Sequence, residues 1–210
     1  MILLFFNVKN LILLYKRCNM FVDAHIETKR LIIKPYHISD AKYLYELQKH
    51  PETKHFMPSP EYSLKEIQDI ILWSMEMNKK NTVSNIVKFN LSIFEKSSQQ
   101  YIGYCGLGPL DFELTSTEMY YALSYNKWGK GYATEATYAL LQYAFLKLGI
   151  NRIVAVVFPK NKASIKVIEK LGFQFKEEIQ NLDEEFREFE GMCSFYITKD
   201  IFLNNLITNL

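Results

Sequence analysis

The sequence lacks the features that would indicate a metalloprotein, a disulfide-rich protein or a nucleic-acid-binding protein. Among its 210 residues only three are cysteines, and Cys18, Cys105 and Cys193 are widely spaced, with no Cys-x-x-Cys pair. Its four histidines show no metal-ligand spacing. The formal net charge of +2 is too small to favour nucleic acid as a partner. These absences predict free thiols in a reducing cytoplasm and no bound metal.

A long hydrophobic run is also missing. Residues 1–22 are rich in apolar side chains, but Lys9 interrupts them, whereas a membrane-spanning helix needs about 20 consecutive, mostly apolar residues. Lys16 and Arg17 follow the apolar residues, although a signal peptide carries its positive charge before them. We therefore expect no stable membrane insertion; the alternatives are a helix that associates weakly with a membrane, or Met20 as the start of the chain. The predicted organisation is an N-terminal extension outside the fold, a single domain and a C-terminal tail, at residues 1–22, 23–200 and 201–210.

Hydrophobic periodicity predicts the fold of the central domain. Alternating apolar residues from Val87 to Ile93 indicate a strand with one buried face, and the continuously apolar Ile153–Phe158 indicates an interior strand. Ser63-x-x-Glu66 is a capping box that opens a helix, and the apolar spacing from Ala133 to Leu148 predicts an amphipathic helix. We expect an α/β (α+β) fold, with a mixed, mostly antiparallel sheet of six to seven strands, flanking helices and one β-α-β crossover. The other predicted strands are Glu27–Tyr36, Tyr101–Leu107, Glu118–Tyr125, Phe173–Glu177 and Met192–Thr198, with a polar connection at Asp111–Thr117.

A glycine-rich turn joins the predicted strand Glu118–Tyr125 to the helix that follows it. Gly129 and Gly131 have no Cβ, so the backbone can take a positive φ and approach a ligand closely. The first N–H groups of the following helix have no internal partners and, with the helix dipole, form an anion site. Lys127 and Lys130 add positive charge beside it. A pyrophosphate fits such a site; the alternative is that the two glycines only shape the turn.

Two other phosphate-binding motifs do not fit this turn. No stretch of the sequence matches the Walker loop. The dinucleotide fingerprint would place its third small residue at Thr134 and needs an acidic residue about 20 positions later, but there is no Asp or Glu between Glu135 and Glu169. Neither of these two motifs therefore accounts for the turn.

Three ordered motifs resemble the GNAT superfamily of acetyl-CoA-dependent N-acetyltransferases. They are Trp128-Gly-Lys-Gly-Tyr-Ala-Thr-Glu-Ala136, Pro159-x-Asn161-x-x-Ser164 and Lys170-Leu171-Gly172-Phe173. The resemblance extends from near Ile26 to about Lys199, and within the superfamily it is greatest to the branch of ribosomal-protein N-terminal (alanine/serine) acetyltransferases. It implies the acyl-CoA N-acyltransferase fold, with acetyl-CoA as co-substrate and no metal.

The resemblance also implies where the parts of the site lie. The strand Glu118–Tyr125 would splay from Ile153–Phe158, with the pantetheine arm in the gap and the main-chain N–H of Leu123 facing the thioester oxygen. Asn161 would hydrogen-bond the pantetheine amides as well as cap its helix. The residues implied to bind CoA are Tyr125, Asn126, Lys127, Trp128, Gly129, Lys130, Gly131, Tyr132, Ala133, Thr134, Asn161 and Ser164.

At the acid and the base the sequence departs from the family pattern. Many members carry a Tyr seven residues after the Asn, which protonates the leaving thiolate, and this position is Ile168 here. We expect Ser164 to replace it; the alternative is that Ser164 packs under the CoA arm. Glu118 is the candidate base, acting directly or through a water, and the alternative is a strand-edge carboxylate facing solvent. Tyr120 stands where the branch often has Gly and would narrow the acceptor slot.

The predicted reaction moves an acetyl group from acetyl-CoA to a primary amine by direct attack in a ternary complex. No cysteine falls on a motif position for a covalent acyl-enzyme, although Cys105 on a central strand leaves that route open. An α-amine with a pKa of about 7.7–8.0 is roughly 10% neutral at pH 7, against roughly 0.04% of a lysine, which favours a protein or peptide N-terminus as acceptor. The acidic residues between Glu177 and Glu190 would attract a cationic acceptor or form a solvated loop.

Two alternative functions stay open from the sequence. One is an acetyltransferase for a small amine such as a polyamine, an amino sugar or an antibiotic. The other is a non-catalytic CoA-binding regulatory module, which Ile168 favours and which Glu118, Asn161 and Ser164 disfavour. The expected partner is the amine acceptor, not nucleic acid, and the expected oligomeric state is a monomer or a homodimer.

Overall fold

Eight strands form a single sheet in the described part of the chain, which comprises residues 19–56 and 60–208 of a computed structural model. The strands are β1 (Ile26–Glu27), β2 (Leu31–Pro35), β3 (Phe89–Glu95), β4 (Tyr101–Leu110), β5 (Glu113–Leu123), β6 (Arg152–Val157), β7 (Gln174–Glu178) and β8 (Cys193–Thr198). They follow the order β1-β2-β3-β4-β5-β6-β8-β7, and of these eight strands only β5 and β6 pair in parallel. The predicted mixed, mostly antiparallel sheet is confirmed, with one strand more than the upper number expected.

Helices cover both faces of the sheet. In the described residues they are α1 (Ala41–Lys49), α2 (Pro51–Phe56), α3 (Leu64–Lys80), α4 (Tyr132–Leu146), α5 (Lys162–Lys170) and α6 (Lys199–Thr208). One core includes Phe145 of α4, Ile168 of α5 and Phe202 of α6, whereas a second core includes Leu44 of α1 and Ile67 of α3. Because α4 connects the parallel strands β5 and β6, it forms the predicted β-α-β crossover. None of these helices is long and apolar enough to cross a membrane.

Strand β5 contributes side chains to both cores. Met119 and Leu123 belong to the core under α4, and Tyr120 packs against the core under α1 and α3. Since side chains alternate between the two faces of a strand, Glu118 lies on the same face as Tyr120, and Tyr121 lies on the face of α4 and α5. The candidate base therefore lies on the opposite side of the sheet from the two helices that carry the candidate CoA-binding residues.

Two helix starts predicted from the sequence are confirmed. The Ser63 hydroxyl accepts a hydrogen bond from the Glu66 N–H, and the Glu66 carboxylate accepts one from the Ser63 N–H at 2.7 Å. Asn161 caps α5 because its Oδ1 accepts a hydrogen bond from the Ser164 N–H at 3.0 Å. Both are local signals, so neighbouring residues alone determine them.

Strand β5 begins earlier than the sequence predicts. The polar segment Asp111–Thr117 is expected to be a connection, but β5 starts at Glu113 and pairs with β4 as a hairpin. Leu114 and Thr115 are exposed on this arm, because it extends past the helices that cover the rest of the sheet. A strand that faces solvent lacks the alternation of apolar residues by which strands are recognised.

The packed core reaches beyond the boundaries predicted at residues 23 and 200. Phe21 is 3% exposed, and its ring meets that of Phe89 edge-on at 5.2 Å. Phe202 is 2% exposed and lies 5.3 Å from the ring of Phe145. The predicted tail therefore contains most of α6, which packs against the core through Phe202. Residues 1–18 of the predicted extension lie outside the described residues.

Candidate active site

A cleft opens where β5 and β6 separate. The two strands pair only at Glu118 and Val154, and toward the end of β5 the gap widens into a cavity of about 250 Å³. This is the splay that the sequence predicts. The predicted site residues that line the cavity are Leu123, Lys127, Trp128, Gly129, Gly131, Tyr132, Ala133, Thr134, Asn161 and Ser164.

Four predicted site residues lie outside this cavity. Tyr125 and Asn126 line a neighbouring pocket, where the ring of His50 stacks on Tyr125 at 5.0 Å. Lys130 is exposed at the turn, and Glu118 lies on the other face of β5. The lining residues that the sequence does not indicate are Thr53, Phe56, Tyr121, Ala122, Ala163 and Val167.

The glycine-rich turn has the backbone geometry of an anion site. Gly129 and Gly131 take φ values of +72° and +78°, in the left-handed region that favours glycine. Nothing lies within 4 Å of the position where a Cβ on Gly129 would be. Gly131 is the N-cap of α4, and no side chain caps this helix. The N–H groups of the first turn are therefore available to an anionic ligand.

The two lysines of the turn have different surroundings. The Lys127 ammonium lies 2.9 Å from a carboxylate oxygen of Glu95, and both side chains are largely buried. Hydrogen bonds from Ser98, Tyr132 and Lys127, in that order, lower the pKa of Glu95 to about 2, so this carboxylate stays charged. The charge of Lys127 is thus already compensated, and Lys130 is the exposed cation of the pair. The sequence suggests two equivalent cations here, but the long-range contact with Glu95 distinguishes them.

The carboxylate of Glu135 ties the first turn of α4 to the loop before β2. It accepts hydrogen bonds from the Thr28 hydroxyl at 2.6 Å, from the Arg30 N–H at 2.9 Å and from the Arg30 Nε at 2.6 Å. Arg30 also donates through Nη1 to the carbonyl of Lys130, at 2.9 Å. These contacts interrupt the strand predicted at Glu27–Tyr36 and place a guanidinium beside the turn. Arg30 is a cation near the anion site that the sequence pattern does not reveal.

The N–H of Leu123 points toward the cleft. The N–H of Ser124 donates to the carbonyl of Ile102 directly opposite on β4, at 2.9 Å. Hydrogen-bonded and non-hydrogen-bonded pairs alternate along an antiparallel ladder, so the neighbouring pair Gly103–Leu123 is non-hydrogen-bonded and both backbone groups of Leu123 point away from β4. The Leu123 carbonyl accepts a hydrogen bond from the Trp128 indole N–H at 2.8 Å. Its N–H faces the side where β6 has separated, which is the geometry required of an oxyanion donor.

A hydroxyl pair crosses the cleft. The Tyr121 hydroxyl on β5 donates to Ser164 Oγ on α5 at 3.1 Å, and the Ser164 N–H in turn donates to the Asn161 cap. Burial raises the pKa of Tyr121, while its hydrogen bond to Ser164 opposes the rise, so the phenol stays protonated at neutral pH. Ile168, at the position of the missing family Tyr, is buried in the core. Tyr121 is the residue that sequence reasoning missed, because its partner lies 43 positions away.

Glu118 is a partly buried carboxylate on the α1/α3 face. Burial raises its pKa to about 7; Asp111 also raises it, whereas Lys88 and the Val156 backbone N–H lower it. A carboxyl whose pKa lies near neutrality can both take up and release a proton under ordinary conditions, which is suitable for a general base. This environment differs from the solvent-facing carboxylate that the sequence left as an alternative.

Cys105 lies in the sheet rather than at the cleft. Its side chain is fully buried, and burial raises its pKa well above the ordinary value of a thiol. A buried, protonated thiol is inert because the thiolate is the nucleophilic form. The site therefore favours direct transfer over a cysteine acyl-enzyme.

Comparisons with known proteins give one family. Residues 30–174 match the model described as acetyltransferase (GNAT) domain. The uncharacterized N-acetyltransferase p20 of Bacillus licheniformis is 34% identical over 148 residues, which cover 70% of this chain and 80% of that protein. Ribosomal-protein-S5-alanine acetyltransferase from Vibrio fischeri has a TM-score of 0.68 at 19% identity, covering 85% of this chain and 98% of that one. Spermidine N-acetyltransferase from Vibrio cholerae, in complex with CoA and spermine, has a TM-score of 0.68 at 17% identity, with coverages of 84% and 100%.

Proposed function

This chain belongs to the GNAT family of acetyltransferases, and we propose that the amine it acetylates is the α-amine of a protein or peptide N-terminus. It is an acetyl-CoA-dependent N-acetyltransferase. The proposal concerns the acceptor and the roles of the residues around the cleft.

The observation that carries this proposal is the placement of Glu118, a half-buried carboxylate on the α1/α3 face of β5 beside Tyr120, where burial raises its pKa to about 7. A base of that strength suits an α-amine, whose pKa of about 7.7–8.0 leaves an appreciable neutral fraction at pH 7. A lysine side chain, with a pKa of about 10.4, needs a much stronger base or a site that lowers its own pKa.

Acetyl-CoA is the donor substrate, and the cleft supplies groups that suit it. The anion site at Gly129 and Gly131 suits the pyrophosphate, with Lys130 as the exposed cation nearby, while Arg30 is paired with Glu135 and braces the turn through the Lys130 carbonyl. The backbone of Leu123, exposed by the separation of β5 and β6, suits the acyl end. The cap at Asn161 uses only its side-chain oxygen, which is compatible with a hydrogen bond from its NH₂ group to the pantetheine arm.

The proposed reaction uses both faces of β5. Glu118 accepts a proton from the acceptor ammonium, directly or through a water. The neutral amine attacks the thioester carbonyl carbon, while the Leu123 N–H donates to the oxygen on which negative charge develops. As the C–S bond breaks, the Ser164 hydroxyl protonates the thiolate and receives a proton from the Tyr121 hydroxyl. The attacking nitrogen loses its second proton to water as the amide forms, water returns a proton to the Tyr121 phenolate, and Glu118 releases the first proton to solvent. The base and the acid act from opposite faces, so neither needs to move between the two steps.

Removing either hydroxyl of the proposed acid, Ser164 or Tyr121, should slow the chemical step without weakening CoA binding. We expect Ser164→Ala and Tyr121→Phe each to lower kcat by about tenfold, and the double variant to lose little more, because the two hydroxyls act as one unit. Tyr196→Phe is the matched control, since its hydroxyl donates to Gln174 at 2.7 Å on an exposed surface. The measurements are steady-state CoA release and calorimetric CoA binding. Full kcat in both single variants would refute the assignment of the acid.

A small polycationic amine is the second candidate acceptor, favoured by one contact. The ring of Phe112, at the tip of the β4–β5 hairpin, lies 5.1 Å from Phe189 and 6.5 Å from Phe186. These contacts hold the acidic 3₁₀ segment Glu184–Phe189 against the hairpin that carries Asp111. A concentration of negative charge there would attract a cation toward the α1/α3 face.

A paired acceptor panel separates the two candidates. Peptides that begin with Ala, Ser or Met are compared with the same peptides blocked at the N-terminus but containing lysine, and with spermidine. We expect kcat/KM for the free N-termini to exceed that of the blocked peptides by at least about tenfold, since only the α-amine is appreciably neutral at pH 7. Faster turnover of spermidine than of any free N-terminus would overturn the proposal in favour of the small amine.

A further inference from the structure

Lys88 and the candidate base Glu118 lie on the two sides of Gly108 in the sheet. Gly108 on β4 pairs directly with Glu118 on β5, and Lys88, just before β3, covers Gly108 from the other side. We propose that Lys88 is a positioning residue of this acetyltransferase, whose ammonium holds the Glu118 carboxylate in the charged form that accepts the proton of the acceptor. This inference rests on the proposed role of Glu118 as the base.

The backbone at Lys88 is held by a dedicated side chain. Asn81, which is 6% exposed at the end of α3, donates through Nδ2 to the Lys88 carbonyl at 2.8 Å. Its Oδ1 accepts hydrogen bonds from the N–H groups of Val87 and Lys88, at 2.8 and 3.2 Å. Because the buried Asn81 amide makes three hydrogen bonds to residues 87 and 88, it fixes the backbone position from which the Lys88 side chain extends.

The side chain of Lys88 follows a path prepared by Gly108 and Tyr120. A Cβ on Gly108 would lie 3.3 Å from Lys88 Cδ and 3.5 Å from its Nζ, so the lysine stem lies over the glycine. The Lys88 ammonium lies 4.4 Å from the centroid of the Tyr120 ring, a favourable cation–π distance. The absence of a side chain at Gly108 thus leaves the space between Lys88 and Glu118 clear.

The Tyr120 ring is itself fixed from below. Its hydroxyl donates to Asn90 Oδ1 at 2.6 Å, and Asn90 Nδ2 donates to the buried Ser74 hydroxyl of α3 at 2.9 Å. The ring fills the space above Gly106, where a Cβ would meet it at 2.7 Å. Tyr120, predicted to narrow the acceptor slot, therefore also serves as the platform on which the Lys88 ammonium rests.

Two groups around Glu118 favour its ionised form, and Lys88 is the charged one of the two. Asp111 of the hairpin opposes ionisation, the Val156 N–H of β6 assists it, and the Tyr120 phenol stays neutral because burial raises its pKa. Burial lowers the pKa of Lys88, and Glu118 and Asp111 counteract this effect. None of the ion pairs within 4.0 Å among the described residues includes Lys88, so its ammonium acts on Glu118 without binding it tightly. A cation at this distance favours the charged form of the Glu118 carboxylate and still leaves its oxygens free to accept a proton.

The test is the pH profile of kcat/KM in Lys88 variants with one fixed acceptor. Lys88→Met removes the cation and should raise the midpoint of the rising limb by about one pH unit. Below the midpoint this shift corresponds to about tenfold lower kcat/KM. On the plateau at high pH, kcat/KM should stay within about twofold of the native value. Lys88→Arg should restore the native midpoint. Lys34→Met is the matched control, because Lys34 also lies over an aromatic ring, Phe94 at 4.7 Å, but on β2.

Two further variants separate this inference from the proposed base. Gly108→Ala should push the Lys88 stem aside and shift the midpoint in the same direction without removing a charge. If Glu118→Gln abolishes turnover but Lys88→Met leaves the midpoint unchanged, the role of Lys88 is refuted and the base assignment stands. If Glu118→Gln is fully active, the base assignment fails, and the role of Lys88 fails with it.

Discussion

Replacing Glu118 with Gln is expected to lower kcat/KM by about 10²–10⁴-fold, the range typical of losing a general base. Glutamine keeps the size and hydrogen-bonding capacity of the side chain but cannot take a proton at any pH of interest. CoA affinity should stay within about twofold of native, because Glu118 lies on the face of β5 opposite Tyr121 and Ser164. CoA release and calorimetric CoA binding measure the two quantities on one preparation.

Glu113→Gln is the matched control for this variant. Glu113 lies on the same strand, where it accepts from the Ser116 hydroxyl and lies 3.6 Å from the Lys176 ammonium, and we assign it no part in the reaction. Its rate should stay within about twofold of native. A Glu118→Gln variant as active as the Glu113→Gln variant would remove Glu118 from the mechanism.

The same carboxylate sets the pH dependence of the native enzyme. Burial raises the pKa of Glu118 to about 7, and the active form of a base is the deprotonated one, so kcat/KM should rise with pH through about 7. The sign for stability is the opposite: a carboxyl whose pKa is raised in the folded state favours folding while protonated, and this contribution is lost as pH increases through about 7. Activity and stability should therefore respond to pH in opposite directions around this group.

Replacing Gly129 with Ala is expected to weaken CoA binding by about 10–100-fold, which corresponds to about 1.4–2.7 kcal/mol. The added methyl group would project where a phosphate must approach the backbone N–H groups, and alanine also resists the φ of +72° that the turn requires. Calorimetric titration with CoA measures the change directly.

Gly191→Ala isolates the effect on the ligand from the strain on the backbone. Gly191 has a φ of +75°, and nothing lies within 4 Å of its Cβ position, as at Gly129, but it does not line the cleft. Both variants should lose similar amounts of thermal stability, about 1–2 kcal/mol each. Equal CoA affinity in the two variants would mean that the glycine turn does not hold the pyrophosphate.

Local patterns allowed the fold and the backbone geometry of the glycine-rich turn to be predicted from the sequence. The side chains of Ser63 and Asn161 accept hydrogen bonds from N–H groups three positions later. Gly129 and Gly131 can take a positive φ because they have no Cβ, and both do so. The interior strand β6 is apparent because both its faces are covered, which gives an unbroken apolar run. In each case the information lies within a few neighbouring residues.

The contacts that tune the site could not be predicted, because they join distant parts of the chain. Tyr121 and Ser164 are 43 positions apart, and Lys127 and Glu95 are 32 apart. Lys88 and Glu118 lie on the two sides of Gly108 only because the segment before β3 aligns with β4 and β5. The residue types at these positions are common on surfaces and in strands, so the local sequence does not single them out. Their proximity follows only from the register of the sheet.

In the proposed mechanism, the alternation of side chains along β5 makes this strand a partition between the acceptor and the acetyl donor. The carboxylate of Glu118 faces one compartment, and the Tyr121 hydroxyl faces the other, over an unbroken register with β4. Inserting or deleting one residue between them would shift the register on one side of the change: either the carboxylate would turn toward the donor side, or Tyr121 and the Leu123 amide would reverse their directions. Between Glu118 and Leu123 we therefore expect a change of one residue to be more harmful than a change of two. Engineering of acceptor preference should accordingly substitute side chains on the α1/α3 face and leave the length of β5 unaltered.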